Sequence, residues 1–280
     1  MKRSKTKARV WVVEKGKGRS RTDYLATEEP LEIRLTHPPR SLAVTMRTPG
    51  ADFELVAGFL YSEGVVQQRQ DLCQMRYCID PKVDGEQRQN IVNVTLQAEV
   101  HPDFASLERH FYTTSACGVC GKASLDALRL RGCAALPSTP GVDVTMLYQL
   151  PEKLRAAQRV FSATGGLHAA ALFDRQGTLL SLQEDVGRHN ALDKLIGAAL
   201  LSDQLPFDDR IVMVSGRSSF EILQKCLMAR VPIVCAISAP SSLAVAIAQE
   251  FNITLVGFLC GDRCNVYAGR DRIQGYFPAC

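Results

Sequence analysis

The sequence predicts an α/β protein in two parts: a small α+β unit, then a three-layer α/β domain. Three observations carry this expectation. Between residues 23 and 100, short runs alternate apolar and polar residues, in pairs, around one helical stretch. Beyond residue 145 the rhythm becomes strand–helix–strand–helix–strand, which implies a parallel sheet with helices on its faces. The 280 residues suffice for one or two cores, and 46% apolar with 22% charged residues is ordinary globular composition.

Taken in order, residues 1–21 carry nine Lys/Arg and one acid, Glu14, so the segment is +8 while the whole chain is +4. It reads as a basic, solvated, disordered tail. The rest is −4 and has no basic stripe with interleaved aromatics, so nucleic acid is not an expected partner. No stretch approaches the roughly 20 apolar residues that span a bilayer. No apolar h-region follows the basic start, so no secretory signal is read and the cytoplasm is the expected location.

Residues 22–112 form the α+β unit. LEIRL and LAVTM read as strands around a His37-Pro38-Pro39-Arg40 turn. Phe53, Val56, Ala57 and Leu60 recur at helical spacing, with Asp52 in the first turn. MRYCID and NIVNVTLQ read as a second strand pair. Residues 113–145 are a connector with a CxxC loop, a short helix over 123–130 and a Pro/Gly-rich stretch over 133–143.

Residues 146–280 form the α/β domain. PEKLRAAQRVF, 151–161, reads as a helix opened by its proline. HAAALFD and TLLSLQE pair as strands, and a helix capped by Asp185 follows, burying Leu192, Leu195, Ile196 and Ala199. RIVMVSG is a buried strand. Ser218 and Glu221 form a capping box for the next helix. VPIVCAIS, SSLAVAIAQEF, ITLVGFLC and NVYAG continue as strand, helix, strand and strand.

Chemistry concentrates in SACGVCGKAS, residues 115–124. Cys117 and Cys120 are spaced to bite a metal, close a disulfide or carry a transferred sulfur. Flanking glycines leave the thiols uncrowded, and Lys122 with a helix N-terminus would favour thiolate. A zinc site needs two more ligands, for which Cys260 and Cys264 are the candidates. Of the ten cysteines, Cys226 and Cys235 fall in apolar segments and read as core residues.

The second half also invites comparison with zinc deaminases, which share its strand pair, helix and β-α-β order. It lacks their H-x-E and P-C-x-x-C signatures at the corresponding helix starts, EDVGRHNALDK and SGRSSFE. His189 alone reads as a structural or supporting residue. Three connections suit anions: Ser215-Gly216-Arg217-Ser218, Phe258-Leu259-Cys260-Gly261-Asp262-Arg263, and Thr164-Gly165-Gly166 before His168. Open α/β sheets bind ligands at such strand ends, and helix N-termini there favour phosphate. A nucleotide or phosphate ligand is expected.

Together, SEG at 62–64, CGVCG, TGGLHAA at 164–170, EDVGRHNALDKLIG at 184–197, SGRSS at 215–219 and LVGF at 255–258 resemble the formate dehydrogenase accessory sulfurtransferases, the FdhD family. The resemblance runs from about EEPLEIRL to NVYAG. It implies a sulfurtransferase that takes sulfur from a cysteine desulfurase as a persulfide. The sulfur passes to a molybdenum bis(molybdopterin guanine dinucleotide) cofactor, and formate dehydrogenase is thereby activated. It further implies a cytidine-deaminase-like C-terminal fold without the deaminase metal ligands, no metal of its own, and a homodimer. Carried over by position, Cys117 holds the persulfide and Cys120 supports it. Phe258, Leu259, Cys260, Gly261, Asp262 and Arg263 match the cofactor-binding stretch. Gly216, Arg217, Ser218 and His189 complete the candidate cofactor-binding set. The competing reading is a zinc-stabilised nucleotide- or partner-binding module using Cys117/Cys120 with Cys260/Cys264.

Overall fold

The structure is a computed structural model that describes residues 3–102, 128 and 133–276. Cys117, Cys120 and most of the expected connector lie outside the described residues; Leu128 is helical and buried.

The basic N-terminal segment departs from the expected disordered tail. Strands β1 (Lys5–Glu14) and β2 (Lys17–Ala26) form an antiparallel hairpin around Lys15–Gly16, both at positive φ (49° and 77°). A two-residue loop of that handedness matches the twist of paired strands. Along β1 the half-buried Val10 and Val12 alternate with the exposed Trp11 and Val13, and lysines and arginines flank this short run on both sides.

The next unit is a four-stranded sheet in the order β4-β3-β6-β5. It contains β3 (Glu29–Thr36), β4 (Pro39–Arg47), β5 (Leu72–Tyr77) and β6 (Ile91–Leu96), with β3 and β6 parallel and the other pairs antiparallel. Every second residue of β3 (Leu31, Ile33, Leu35) joins Val92 and Val94 against Leu55, Val56 and Leu60 of α1 (Asp52–Ser62). The two strand pairs and the helix stand where the alternation places them.

The second unit begins with β7 (Val142–Asp143), α2 (Val144–Ala157) and α3 (Arg159–Thr164). The helix expected over 151–161 is therefore two helices. Asp143 caps the first by accepting the Thr145 N–H at 2.7 Å, and the chain breaks at Gln158. Pro151 lies inside α2 instead of opening a helix. Then come β8 (His168–Phe173), β9 (Leu179–Asp185), α4 (Arg188–Leu201), β10 (Ile211–Val214), α5 (Phe220–Met228), β11 (Ile233–Ala236), α6 (Ser242–Glu250), β12 (Thr254–Cys260), β13 (Arg263–Ala268) and β14 (Ile273–Gln274), which pairs with β7.

Six strands form one sheet in the order β13-β12-β11-β10-β8-β9, with β10, β11 and β12 parallel and the outer pairs antiparallel. Residue parity sorts its faces. Ala170, Leu172, Val212, Val214, Val234 and Ala236 pack with residues of α4, α5 and α6. Ala171, Phe173, Ile211, Met213, Ile233 and Cys235 pack with Leu147, Leu150 and Leu154 of α2. The result is the expected three layers. No helix among the described residues is long and apolar enough to cross a membrane.

The two units share buried polar contacts. Ser62 Oγ donates to Asp193 Oδ1 at 2.9 Å, and Lys225 Nζ donates to the same oxygen at 2.9 Å, with Glu63 3.9 Å away. Asp185, expected to cap α4, instead ends β9 in full burial. Its Oδ2 takes the Thr48 N–H at 3.0 Å and pairs with Lys194 Nζ at 2.7 Å, and its Oδ1 takes the Gly187 N–H at 2.8 Å. The N-cap of α4 is Gly187. The Ser218–Glu221 capping box is likewise displaced: Ser219 is the N-cap of α5, and its side chain makes no capping hydrogen bond.

Candidate functional site

The carboxyl ends of the parallel strands gather the candidate loops. Strand β10 runs into Ser215–Ser219 and β11 into Ile237–Ser241, while β12 ends in Phe258–Cys260 and turns at Gly261–Asp262. Backbone bonds tie them together: Ser218 N–H to Ala239 O (3.2 Å), Ser241 N–H to Ser218 O (2.9 Å) and Phe258 N–H to Ser238 O (3.3 Å). Strands β8 and β9 run antiparallel to each other, and their pairing sets His168 opposite Asp185 at this same edge. Thr164-Gly165-Gly166 leads directly into β8. All three anion-suited connections therefore meet at one edge.

A cleft of about 410 Å³ opens there, lined by Ile237, Phe258, Cys260, Arg263 and Asn265. It holds an exposed aromatic face, a guanidinium and an amide, and among the described residues no carboxylate lines it. Cys260 pairs with Arg263 across the β12–β13 turn, and paired residues of antiparallel strands share a face. Phe258 is 44% exposed and adopts φ 51°, an unusual conformation for a bulky residue. Gly257 beside it is packed tightly, since a Cβ would lie 3.0 Å from the Tyr267 ring and 3.1 Å from Pro240.

The remaining expected residues fall differently. Leu259 is fully buried in the core beneath the cleft. Gly261 (φ 57°) and Asp262 make the exposed turn. Cys264 follows Arg263 in β13, packs on the α2 side of the sheet and so does not share a face with Cys260. Among the described residues no group of three or more His, Cys, Asp or Glu is placed to hold a metal. Cys226 and Cys235 are buried, as expected for core thiols; burial pushes the Cys226 thiol up to about 12 and raises that of Cys235 as well.

Beyond the cleft lies a second group on the same edge. Gly216 lies against the His168 ring and Arg188, where a Cβ would be 3.3 Å from His168 Nδ1 and 3.6 Å from Arg188 Cδ. Ser218 is fully buried, and its Oγ has no hydrogen-bond partner among the described residues. His189 Nε2 is 3.3 Å from Ser219 Oγ and 3.8 Å from Glu221 Oε2. Burial, and then the Arg188 charge, hold His189 neutral down to about 4, and the same two causes lower His168. Burial opposes the Glu221 charge, but hydrogen bonds from Ser219 and its own backbone N–H outweigh it and keep the carboxyl low.

Sequence reading passed over Ile237, Asn265 and Arg188. Asn265 follows Arg263 by two residues in a strand, so period two was its signal. Ile237 follows an apolar strand and carried none.

Comparisons with known proteins agree with this architecture. A family model described as the FdhD/NarQ family matches residues 26–274. Curated relatives named "Sulfur carrier protein FdhD" include one from Streptomyces coelicolor, 55% identical over 91% of this chain and 90% of its own length. Another, from Mycolicibacterium paratuberculosis, is 49% identical over 96% of this chain and 98% of its own. A crystal structure described as a formate dehydrogenase accessory protein from Desulfotalea psychrophila superposes with a TM-score of 0.73 at 22% identity, covering 96% and 99% of the two chains.

Proposed function

The chain belongs to the FdhD/NarQ family, and from that premise we propose that it is a sulfur carrier in the maturation of a formate dehydrogenase. In this reading Cys117 takes sulfane sulfur from a cysteine desulfurase and delivers it to the molybdenum bis(molybdopterin guanine dinucleotide) cofactor, which is substrate and not resident. The Cys117 thiolate attacks the outer sulfur of the donor's persulfide. The donor S–S bond breaks, the donor leaves as thiolate, and Cys117 carries the new S–SH group without net oxidation.

The observation that carries the cofactor half of this reading is the cleft at the strand ends, where the described lining offers a ring, an amide and a guanidinium. Phe258 offers a ring for a base, Asn265 an amide for a base edge, and Arg263 a charge for phosphate. The curated relatives' names support the carrier half. The sheet order suits a cytidine-deaminase-like domain, and a homodimer and a cytoplasmic setting complete the proposal. The zinc-stabilised alternative draws no support from Cys260 and Cys264, which face opposite sides of β12–β13.

Mass spectrometry after treatment with a cysteine desulfurase and cysteine tests the carrier role. One added sulfur is expected on wild-type protein and none on Cys117→Ala, with the melting temperature unchanged. A Cys117→Ala protein that loses bound zinc and melts earlier would overturn the reading in favour of a structural metal.

A further inference from the structure

Strand β1 and all but the last residue of β2 precede the residues that the FdhD/NarQ model matches. Among the described residues the two strands pair only with each other. Strand β2 is the one packed on α3, and its last residue, Ala26, lies against Gly166. The outer edge of β1 therefore meets no other strand. The register of the hairpin is unbroken, so parity sorts its side chains. One face carries Lys5, Lys7, Arg9, Trp11 and Val13 of β1 with Tyr24 of β2. Both carboxylates of the hairpin, Glu14 and Asp23, lie on the other face, where Asp23 pairs with Arg21 at 3.5 Å.

The backbone of β1 sorts in the same way. With a two-residue loop at Lys15–Gly16, the flanking pair, Glu14 and Lys17, exchanges both backbone bonds, and such pairs alternate along the ladder. The even residues of β1 therefore bond to β2, and beyond the far end Ser4 still accepts the Thr27 N–H at 3.0 Å. The N–H and C=O groups of Lys5, Lys7, Arg9, Trp11 and Val13 point away from the hairpin. These same residues form the cationic face, and all of them are exposed. Lysines on an edge strand serve elsewhere to repel stray strands. That duty does not account for Trp11 and Val13, which are 73% and 71% exposed in the same row.

We propose that the outer edge of β1 docks an extended acidic segment of a partner protein as a third strand, in the antiparallel sense that pairs more stably. Carboxylates at every second position of that segment stand opposite Lys5, Lys7 and Arg9, and apolar side chains stand opposite Trp11 and Val13. Opposite charges directly across a ladder favour the pairing, and the backbone bonds fix its register. A second copy of β1 would bring like charges to the same face, which disfavours it as the occupant. This docking edge is independent of the sulfur-carrier reading.

Trp11 is the single tryptophan of the chain, so tryptophan fluorescence reports on this face alone. The test titrates the full chain, at low salt, with the end-blocked peptide Val-Thr-Val-Thr-Glu-Thr-Glu-Thr-Glu, whose glutamates stand opposite Arg9, Lys7 and Lys5. Saturable binding with a change in Trp11 emission is expected. A peptide of the same composition with its glutamates contiguous is expected to bind roughly tenfold more weakly, and so is the alternating peptide N-methylated at its glutamates. The double variant Lys7→Glu, Arg9→Glu should lose a similar factor, with circular dichroism establishing its fold; if it does not fold, the peptide comparisons on wild-type protein decide. Equal affinity for the alternating and contiguous peptides, or no effect of N-methylation, overturns strand addition and leaves only a charged surface. No binding of the alternating peptide overturns the proposal and leaves the cations as guards of the edge. A single-stranded oligonucleotide and phosphatidylglycerol vesicles are titrated in parallel. If Trp11 responds to either of these and not to the peptide, the face belongs to nucleic acid or lipid and the proposal fails.

Discussion

Gly58 of α1 and Gly197 of α4 meet backbone to backbone. A Cβ on Gly58 would overlap the Asp193 carbonyl and come within 2.8 Å of the Gly197 amide nitrogen, and a Cβ on Gly197 would overlap the Glu54 carbonyl. Neither obstacle is a movable side chain. The contact seats the N-terminal unit on the helix that carries Arg188 and His189 to the sheet edge. Gly197→Ala is expected to destabilise the protein by about 3 kcal/mol, at the upper end for overpacking. For a chain of this size that lowers the melting temperature by roughly 6–12 °C. Thermal unfolding followed by circular dichroism measures it, and a drop below 2 °C would mean that the helices separate freely.

The buried Asp193–Lys225 pair gives a sharper test of the same seam. Asp193→Asn leaves the Lys225 ammonium buried, with Glu63 3.9 Å away. Breaking such a pair on one side costs about 3–5 kcal/mol. Replacing both members with Leu and Met removes both desolvated charges, so the double variant should be more stable than Asp193→Asn. Chemical denaturation of the three proteins checks the order, and a double variant weaker than the single one would show that the charges themselves hold the seam.

Much of this was legible in the sequence. Periodicity of two placed β3 and β4, and periodicity near 3.6 placed α1, because each buries one face; β8 and α4 were legible as apolar segments, β8 being buried on both faces and α4 nearly all round. The loops at 215–218 and 258–263 were legible as glycine- and arginine-bearing strand ends, and the sheet order brings both to one edge. The hairpin at the N-terminus was not, because its charge overlies its alternation. Nor was the fate of Asp185. A short polar residue before a helix resembles a cap, and only Thr48, distant in sequence, and Lys194, nine residues further on, show it to be a buried hub.

His189 makes a prediction about pH. Burial holds the folded imidazole neutral to about 4, with Arg188, Lys225 and His168 acting in the same direction and Glu221 opposing. An unfolded imidazole protonates near 6.5, as expected for an unperturbed side chain. Between those values the unfolded chain binds the extra proton, so stability contributed by this group falls as pH drops from about 6.5 toward 4 and is level above. Imidazole NMR shifts should show His189 titrating well below 6. A value near 6.5 would mean that water reaches the ring freely.

Phe258 separates stability from binding. At φ 51° a non-glycine residue is strained by about 1–2 kcal/mol. Phe258→Gly relieves that strain, while the freer unfolded chain takes back about 0.4–1 kcal/mol. Because the ring is 44% exposed, little packing is lost. The variant should therefore be as stable as wild type or slightly more so. A base stacked on the ring would lose about 1–3 kcal/mol of binding, so guanosine diphosphate affinity should fall roughly tenfold or more. Phe258→Ala keeps the strained backbone and loses the ring, so it should bind as weakly as Phe258→Gly and melt earlier. Calorimetry and melting curves on the three proteins read both effects. If Phe258→Gly binds the nucleotide as tightly as wild type, the ring is not the stacking platform, and the strain at this position needs another cause.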